Sequence, residues 1–135
     1  MAKITVSATR ESIPQVAAFV EGELEKLSCP MKELAQINIA VDELYSNIVN
    51  YAYKGGEGEA SVSVQGLSPN SVRVTFEDSG VPYNPLAKPD PDVTLGAEER
   101  QIGGLGIFIV KKTMDAMEYK FEGGKNILAI TKKWG

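Results

Sequence analysis

Histidine is missing altogether from this chain of 135 residues. That absence removes the commonest general base, the commonest zinc ligand and any route through a phosphohistidine, which leaves Glu, Asp and Lys to carry acid–base chemistry. Cysteine is almost missing as well. Cys29 stands alone, so no intrachain disulfide can form and a structural zinc site would lack its companions; the residue reads as a small buried hydrophobe. No apolar run approaches the roughly 20 residues that span a bilayer, and no basic-then-apolar leader opens the chain, so a cytoplasmic protein without membrane attachment is expected. Nor is there an electropositive stripe. The net charge is −4 and the basic residues are scattered apart from Lys111-Lys112 and Lys132-Lys133, so direct binding to nucleic acid is not expected. What is present is the composition of an ordinary globular domain, 43% hydrophobic and 24% charged, which implies one domain over 1–135 with one core and one site.

The segment Lys3-Ile4-Thr5-Val6-Ser7-Ala8-Thr9 alternates apolar and polar residues, the period of a half-buried strand. Ser12 is placed to cap a helix with Pro14 in its first turn. Ile13, Val16, Phe19, Val20, Leu24 and Leu27 then recur at helical spacing until Cys29-Pro30. A second helix is predicted over about 31–53, with Leu34, Ile37, Val41, Leu44 and Ile48 on one stripe and Gly55-Gly56 ending it. Residues 60–64 and 72–76 alternate again and are joined by Ser68-Pro69-Asn70, which reads as a hairpin. Residues 81–102 contain four prolines and little pattern, too long for an ordinary connection. Leu105, Ile107, Phe108, Val110 and Met114 form a third helix, followed by a hairpin from Tyr119-Phe121 through Gly123-Gly124 to 127–131. This order lacks the regular strand–helix alternation of a parallel sheet. It predicts an α+β two-layer sandwich, with three main helices on one face of a mixed, mostly antiparallel sheet.

Three constellations carry polar chemistry. On an α-helix Glu43, Asn47 and Asn50 fall within roughly 60° of one another, away from the apolar stripe; a solvated helix face looks the same. Next, Glu77-Asp78-Ser79-Gly80-Val81-Pro82-Tyr83-Asn84-Pro85 follows an apolar strand. Turn chemistry alone accounts for an Asp beside Gly, but Asp78 could equally accept a hydrogen bond from an exocyclic amine while Gly80 lets the backbone approach a flat base. Lastly, Ile102-Gly103-Gly104-Leu105-Gly106-Ile107 puts glycines ahead of a helix, where backbone N–H groups and the helix dipole suit phosphate. A hinge has the same composition, and no Walker lysine follows. Thr131 on the last strand reads either as a base contact or as an ordinary strand threonine.

Together these stretches become familiar. Ala40-Val41-Asp42-Glu43-Leu44-Tyr45-Ser46-Asn47-Ile48-Val49-Asn50-Tyr51-Ala52-Tyr53 resembles the N box of the GHKL ATPases, Asp78-x-Gly80 their first glycine box, and Gly103-Gly104-Leu105-Gly106 their second. Within that group, the single short domain, the Asn-Pro pair and the Leu-Gly-Ile-Phe-Ile-Val-Lys-Lys-x-Met-Asp run look most like bacterial anti-sigma factor serine/threonine-protein kinases. The resemblance spans about 33–131.

It implies the Bergerat ATP-binding fold, with ATP and Mg²⁺ as ligands. Glu43 would be the general base and Asn47 would hold Mg²⁺. Asp78 would read the adenine amine. Asn50, Gly80, Tyr83, Gly103, Gly104, Leu105, Gly106 and Thr131 would complete the nucleotide site. Residues 81–102 would form an ATP lid, from which Arg100 would neutralise the transferring phosphoryl group. The implied partners are a STAS-type anti-sigma factor antagonist, which would be phosphorylated, and a sigma factor, which would be sequestered. A homodimer through the first strand and first helix is also implied, with Phe19 and Val20 either at that contact or in the core. Three departures from the family's pattern stand out. Asn50 lies where it is often basic, Tyr51 where it is often histidine, and Gln101-Ile102 separate Arg100 from Gly103. They leave open a module of the same fold that responds to ATP without transferring phosphate. A sensor histidine kinase is excluded as a complete enzyme because no histidine is present, and a gyrase-like or MutL-like ATPase is not expected because no transducer domain follows Trp134.

Overall fold

In the computed structural model, residues 1–54, 56–67, 69–87 and 104–135 are described, 104 and 105 by their backbone alone. The chain runs β1 (Ala2–Ser7), α1 (Ser12–Lys26), α2 (Met31–Asn47), a π-helical turn (Ile48–Ala52), β2 (Glu59–Leu67), β3 (Ser71–Asp78), a short 3₁₀ turn (Pro85–Ala87), α3 (Gly104–Thr113), β4 (Ala116–Glu122) and β5 (Lys125–Lys133). The strands form one sheet in the order β1-β2-β3-β5-β4. Every pairing in it is antiparallel, so the mixed sheet expected from the sequence is corrected. β3 and β4 do run in the same direction, but β5 lies between them and separates them.

Alternation fixes which face of the sheet is covered. Val62, Val64, Val72, Val74, Phe76, Leu128 and Ile130 are buried beneath the helices, and α1 adds Val16, Val20 and Leu24, α2 Ile37, Val41 and Leu44, and α3 Ile107 and Val110. Burial of each such side chain is worth ~1.5–3 kcal/mol. The other face carries Arg73, Thr75 and Thr131, and there Thr5 Oγ1 bonds Ser61 Oγ at 2.9 Å. Val20 is fully buried, and Phe19 packs against the same core. Of the two readings of that pair, the core is the one observed.

The start of α1 departs from expectation. Ser12 is the first residue of α1 rather than its cap; Glu11 holds the cap position without a side-chain hydrogen bond. The reason is a competing partner: the buried Ser12 hydroxyl lies 2.6 Å from the Thr9 carbonyl oxygen and 2.5 Å from the Tyr45 hydroxyl, which ties α1 to α2. At its other end α1 closes with a Schellman motif. Cys29 N–H bonds Leu24 O at 3.1 Å and Ser28 N–H bonds Glu25 O at 3.0 Å, with Ser28 left-handed at φ 58°, where glycine is usual. The hairpin between β4 and β5 follows expectation. Gly123 and Gly124 have φ of 62° and 77°, the two positive values that a two-residue hairpin turn requires.

Candidate functional site

β3 is apolar on its covered face through Val72, Val74 and Phe76, and the next residue in that phase is Asp78. Period-two alternation therefore carries a carboxylate into the covered layer, where it is only 7% exposed. The same holds on the neighbouring strand. β5 places Asn126, Leu128 and Ile130 inward, and Asn126 pairs directly with Asp78. An unpaired polar group there would cost ~1–3 kcal/mol, and the two satisfy each other. Asn126 Nδ2 donates to Asp78 Oδ1 at 2.9 Å, and Gly80 N–H donates to the same oxygen at 2.9 Å.

Above this pair is a recess enclosing about 440 Å³ of space, its mouth included. α2 and the π turn supply Leu44, Asn47, Ile48 and Ala52. The sheet supplies Phe76, Asp78, Tyr119, Asn126 and Leu128, and the segment after β3 supplies Val81, Tyr83 and Pro85. A largely apolar slot with a carboxylate at its floor and an amide at its edge suits a flat heteroaromatic ring bearing a donor.

Gly80 has a steric role in the turn itself. A Cβ there would overlap the backbone of Ala52, and Val81 N–H bonds the Ala52 carbonyl at 2.9 Å. The close approach is thus between the turn and the end of the π turn, which fastens one wall of the recess. Tyr53 braces the same junction: its hydroxyl donates to Glu59 O and accepts from Ser79 N–H at 2.9 Å.

The π turn also moves Asn50. An α-helix would align it with Glu43 and Asn47, but the wider turn from Ile48 shifts the phase. Asn50 is instead exposed in a separate groove with Tyr51, Lys54, Val81, Pro82 and Tyr83. Its expected place beside Asn47 is corrected on that ground. Thr131 is corrected too. It pairs with Arg73 and Ala116 on the uncovered face, out of phase with Asn126 and Leu128, and does not line the recess.

Glu43, one turn before Asn47, reaches the glycine segment. α3 begins at Gly104, so Gly104, Leu105 and Gly106 form its first turn instead of a loop preceding it. A Cβ at Gly106 would lie within 3.0 Å of the Glu43 carboxyl carbon and both of its oxygens. The carboxylate and the helix start therefore meet because residue 106 lacks a side chain. The first-turn amides of a helix have no partner within it, which suits an anion. Arg100, Gly103 and most of the expected lid, residues 88–102, lie outside the described residues. No group of three His, Cys, Asp or Glu suited to a metal occurs among the described residues, and none of their helices is long and apolar enough to cross a membrane.

Asn126 and Tyr119 were missed in the sequence. A signal was present for Asn126, because it stands in the apolar phase of a strand that continues Leu128, Ile130. Tyr119 gave none beyond an ordinary strand aromatic.

Comparison with known proteins agrees with this fold. The family model described as "Histidine kinase-like ATPase domain" matches residues 6–132. Proteins named serine-protein kinase RsbW from Bacillus cereus (strain AH820) and Bacillus thuringiensis (strain Al Hakam) are each 25% identical over 130 residues, covering 93% of this chain and 81% of theirs. Among solved structures, the RsbU and RsbW domains of a Mycobacterium tuberculosis protein superpose with a TM-score of 0.62 at 15% identity, over 98% of this chain and 32% of that one. The last likeness is one of fold.

Proposed function

This chain belongs to the histidine kinase-like ATPase domain family, and on that premise we propose that it is an anti-sigma regulatory factor that transfers the γ-phosphoryl group of ATP to a serine or threonine of an antagonist protein and also sequesters a sigma factor. The observation that carries the reading is the convergence, at one end of the sheet, of Asp78 in an apolar slot, Asn47 at its edge and Glu43 against Gly106. Asp78 would accept a hydrogen bond from the 6-amino group of adenine, between the apolar walls made by Ile48, Val81 and Leu128. The first turn of α3 would face the phosphates. Asn47 would hold Mg²⁺; one amide is a fitting protein share for an ion that keeps water and phosphate oxygens as its other ligands. Bound there, magnesium supplies charge neutralisation.

Glu43 would accept the proton of the attacking hydroxyl as its oxygen bonds to the γ-phosphorus. The bond from that phosphorus to the β-bridging oxygen breaks, and ADP leaves. Such transfer needs mainly positioning and charge stabilisation. Arg100 would add positive charge from the lid. The names of the RsbW relatives support the kinase reading. That β1 is an edge strand supports the further reading that a second copy would add along it.

The test is incubation with labelled ATP, Mg²⁺ and candidate STAS-type antagonists, comparing the wild type with Glu43→Ala. Label on a partner hydroxyl that is lost in the variant supports the kinase. Tight ATP binding with no transfer to any cognate partner refutes it and leaves the second reading, a regulator that binds ATP without transferring phosphate. The position of Asn50 away from Asn47 favours that alternative.

A further inference from the structure

Asn126 is 6% exposed and uses all of its hydrogen-bonding capacity. Nδ2 donates to Asp78 Oδ1 at 2.9 Å and to Val81 O at 2.9 Å, while Oδ1 accepts from Tyr83 N–H at 3.0 Å and from the Tyr119 hydroxyl. The orientation of the amide is unambiguous, since the Tyr83 amide can only donate and the Val81 carbonyl can only accept. No other side chain of this size offers two donors and two acceptor sites in one plane. Aspartate would have no donors and would set a second carboxylate beside Asp78, and a threonine hydroxyl could serve at most three of the four contacts.

The consequence falls on Asp78. Its Oδ1 accepts from two donors fixed in the fold, Gly80 N–H and Asn126 Nδ2, while Oδ2 has no hydrogen bond among the described residues. The carboxylate cannot turn without giving up both bonds, so one acceptor atom is left for a ligand in the recess. A carboxylate free to turn could move aside from a carbonyl and let water intervene; a fixed one cannot.

We propose that Asn126 is a positioning residue that holds Asp78 rigid and thereby makes the recess select a 6-amino purine over a 6-oxo purine. This rests on the nucleotide reading above, with the base at Asp78. The same amide joins β5 to both Val81 and Tyr83, so it fixes the wall of the slot together with its floor.

The measurement is the dissociation constant for ATP and for ITP, the 6-oxo analogue, in the wild type, Asp78→Asn and Asn126→Ala, with the fold of each checked by circular dichroism. The wild type is expected to favour ATP by about a hundredfold or more. Asn126→Ala is expected to lower that ratio at least about tenfold, with ITP affinity kept within about threefold. A parallel loss of both affinities would mean that Asn126 serves only the fold, and an unchanged ratio would mean that Asp78 needs no brace; either overturns the proposal. A wild type that does not discriminate, or an Asp78→Asn variant with an unaltered ratio, overturns the base reading itself, which is a separate failure. Should Asn126→Ala not fold, the side-chain amide resonances of Asn126 in the labelled wild type decide. They are expected to shift more with saturating ATP than with saturating ITP, and equal shifts overturn the proposal.

Discussion

Gly106→Ala is the perturbation that separates chemistry from stability most cleanly. The added methyl would collide with the Glu43 carboxyl group, the far end of a flexible side chain, so relief comes by rotating Glu43 with no movement of α2. An off-rotamer side chain costs ~0.5–1.5 kcal/mol, whereas alanine in place of glycine within a helix returns ~0.8–1 kcal/mol. These two nearly cancel, so the change in stability reports mainly the contacts that Glu43 gives up on rotating, about 1 kcal/mol for a hydrogen bond, or a few degrees in Tm. The effect on transfer is far larger. Displacing a general base by about 1 Å costs roughly a hundredfold. The base site at Asp78 is not touched by the added methyl, and alanine keeps the residue-106 N–H for the phosphates, so ATP affinity should stay within about threefold. The assay is single-turnover transfer of labelled phosphate to a cognate antagonist, with ATP binding and thermal melting measured in parallel. In a Glu43→Ala background the room is already free, so Gly106→Ala should add less than about a twofold further loss. A folded Gly106→Ala variant with wild-type transfer would refute the assignment of Glu43. A full additional loss in the Glu43→Ala background would show that the glycine acts through something else.

Other expectations concern the scaffold. Gly80→Ala meets the rigid backbone of Ala52 instead of a side-chain tip, so urea denaturation should show a loss of about 2–3 kcal/mol. Ser28→Gly, at φ 58°, should raise stability by about 0.5–1 kcal/mol after the extra unfolded-state entropy of glycine is subtracted; a decrease would contradict the Schellman assignment. Burial pushes the Tyr45 hydroxyl above its ordinary value of 10.0, with the hydrogen bond to Ser12 acting the other way. Above about pH 10 the unfolded chain loses this proton before the folded one does, so the stability Tyr45 contributes is intact below that pH and falls as pH rises through the folded value. Tyr45→Phe should flatten the alkaline decline at a cost of about 1 kcal/mol near neutrality, as read by denaturation curves at a series of pH values.

Much of this arrangement was legible in the chain. Period-two and helical repeats are local and strong, so the helices, the strands and the Gly123-Gly124 turn emerge from short windows. Asp78 could be singled out because its neighbours alternate so regularly. What escaped depended on long-range competition. Ser12 looks like a cap until Tyr45, 33 residues later, takes its hydroxyl. The π turn at Ile48–Ala52 ends against Gly80 and Val81, contacts that lie outside any short window, so a helical wheel carried Asn50 too far round. Thr131 was misplaced because Ile127 and Ala129 make its phase nearly as apolar as that of Asn126, Leu128 and Ile130, and the pairing of β5 with β3 decides between the two sides.

The pairing of Asp78 with Asn126 also has a bearing on the order of assembly. The two residues are 48 positions apart, and β5 must insert between β3 and a β4 that precedes it in the chain. Closing so long a connection is entropically costly and tends to occur late. An emerging polypeptide with the earlier strands already paired would still have Asp78 at a raw sheet edge, with no floor to its slot. Nucleotide should therefore have little grip on any intermediate that lacks β5, and its binding free energy falls almost entirely on the finished fold.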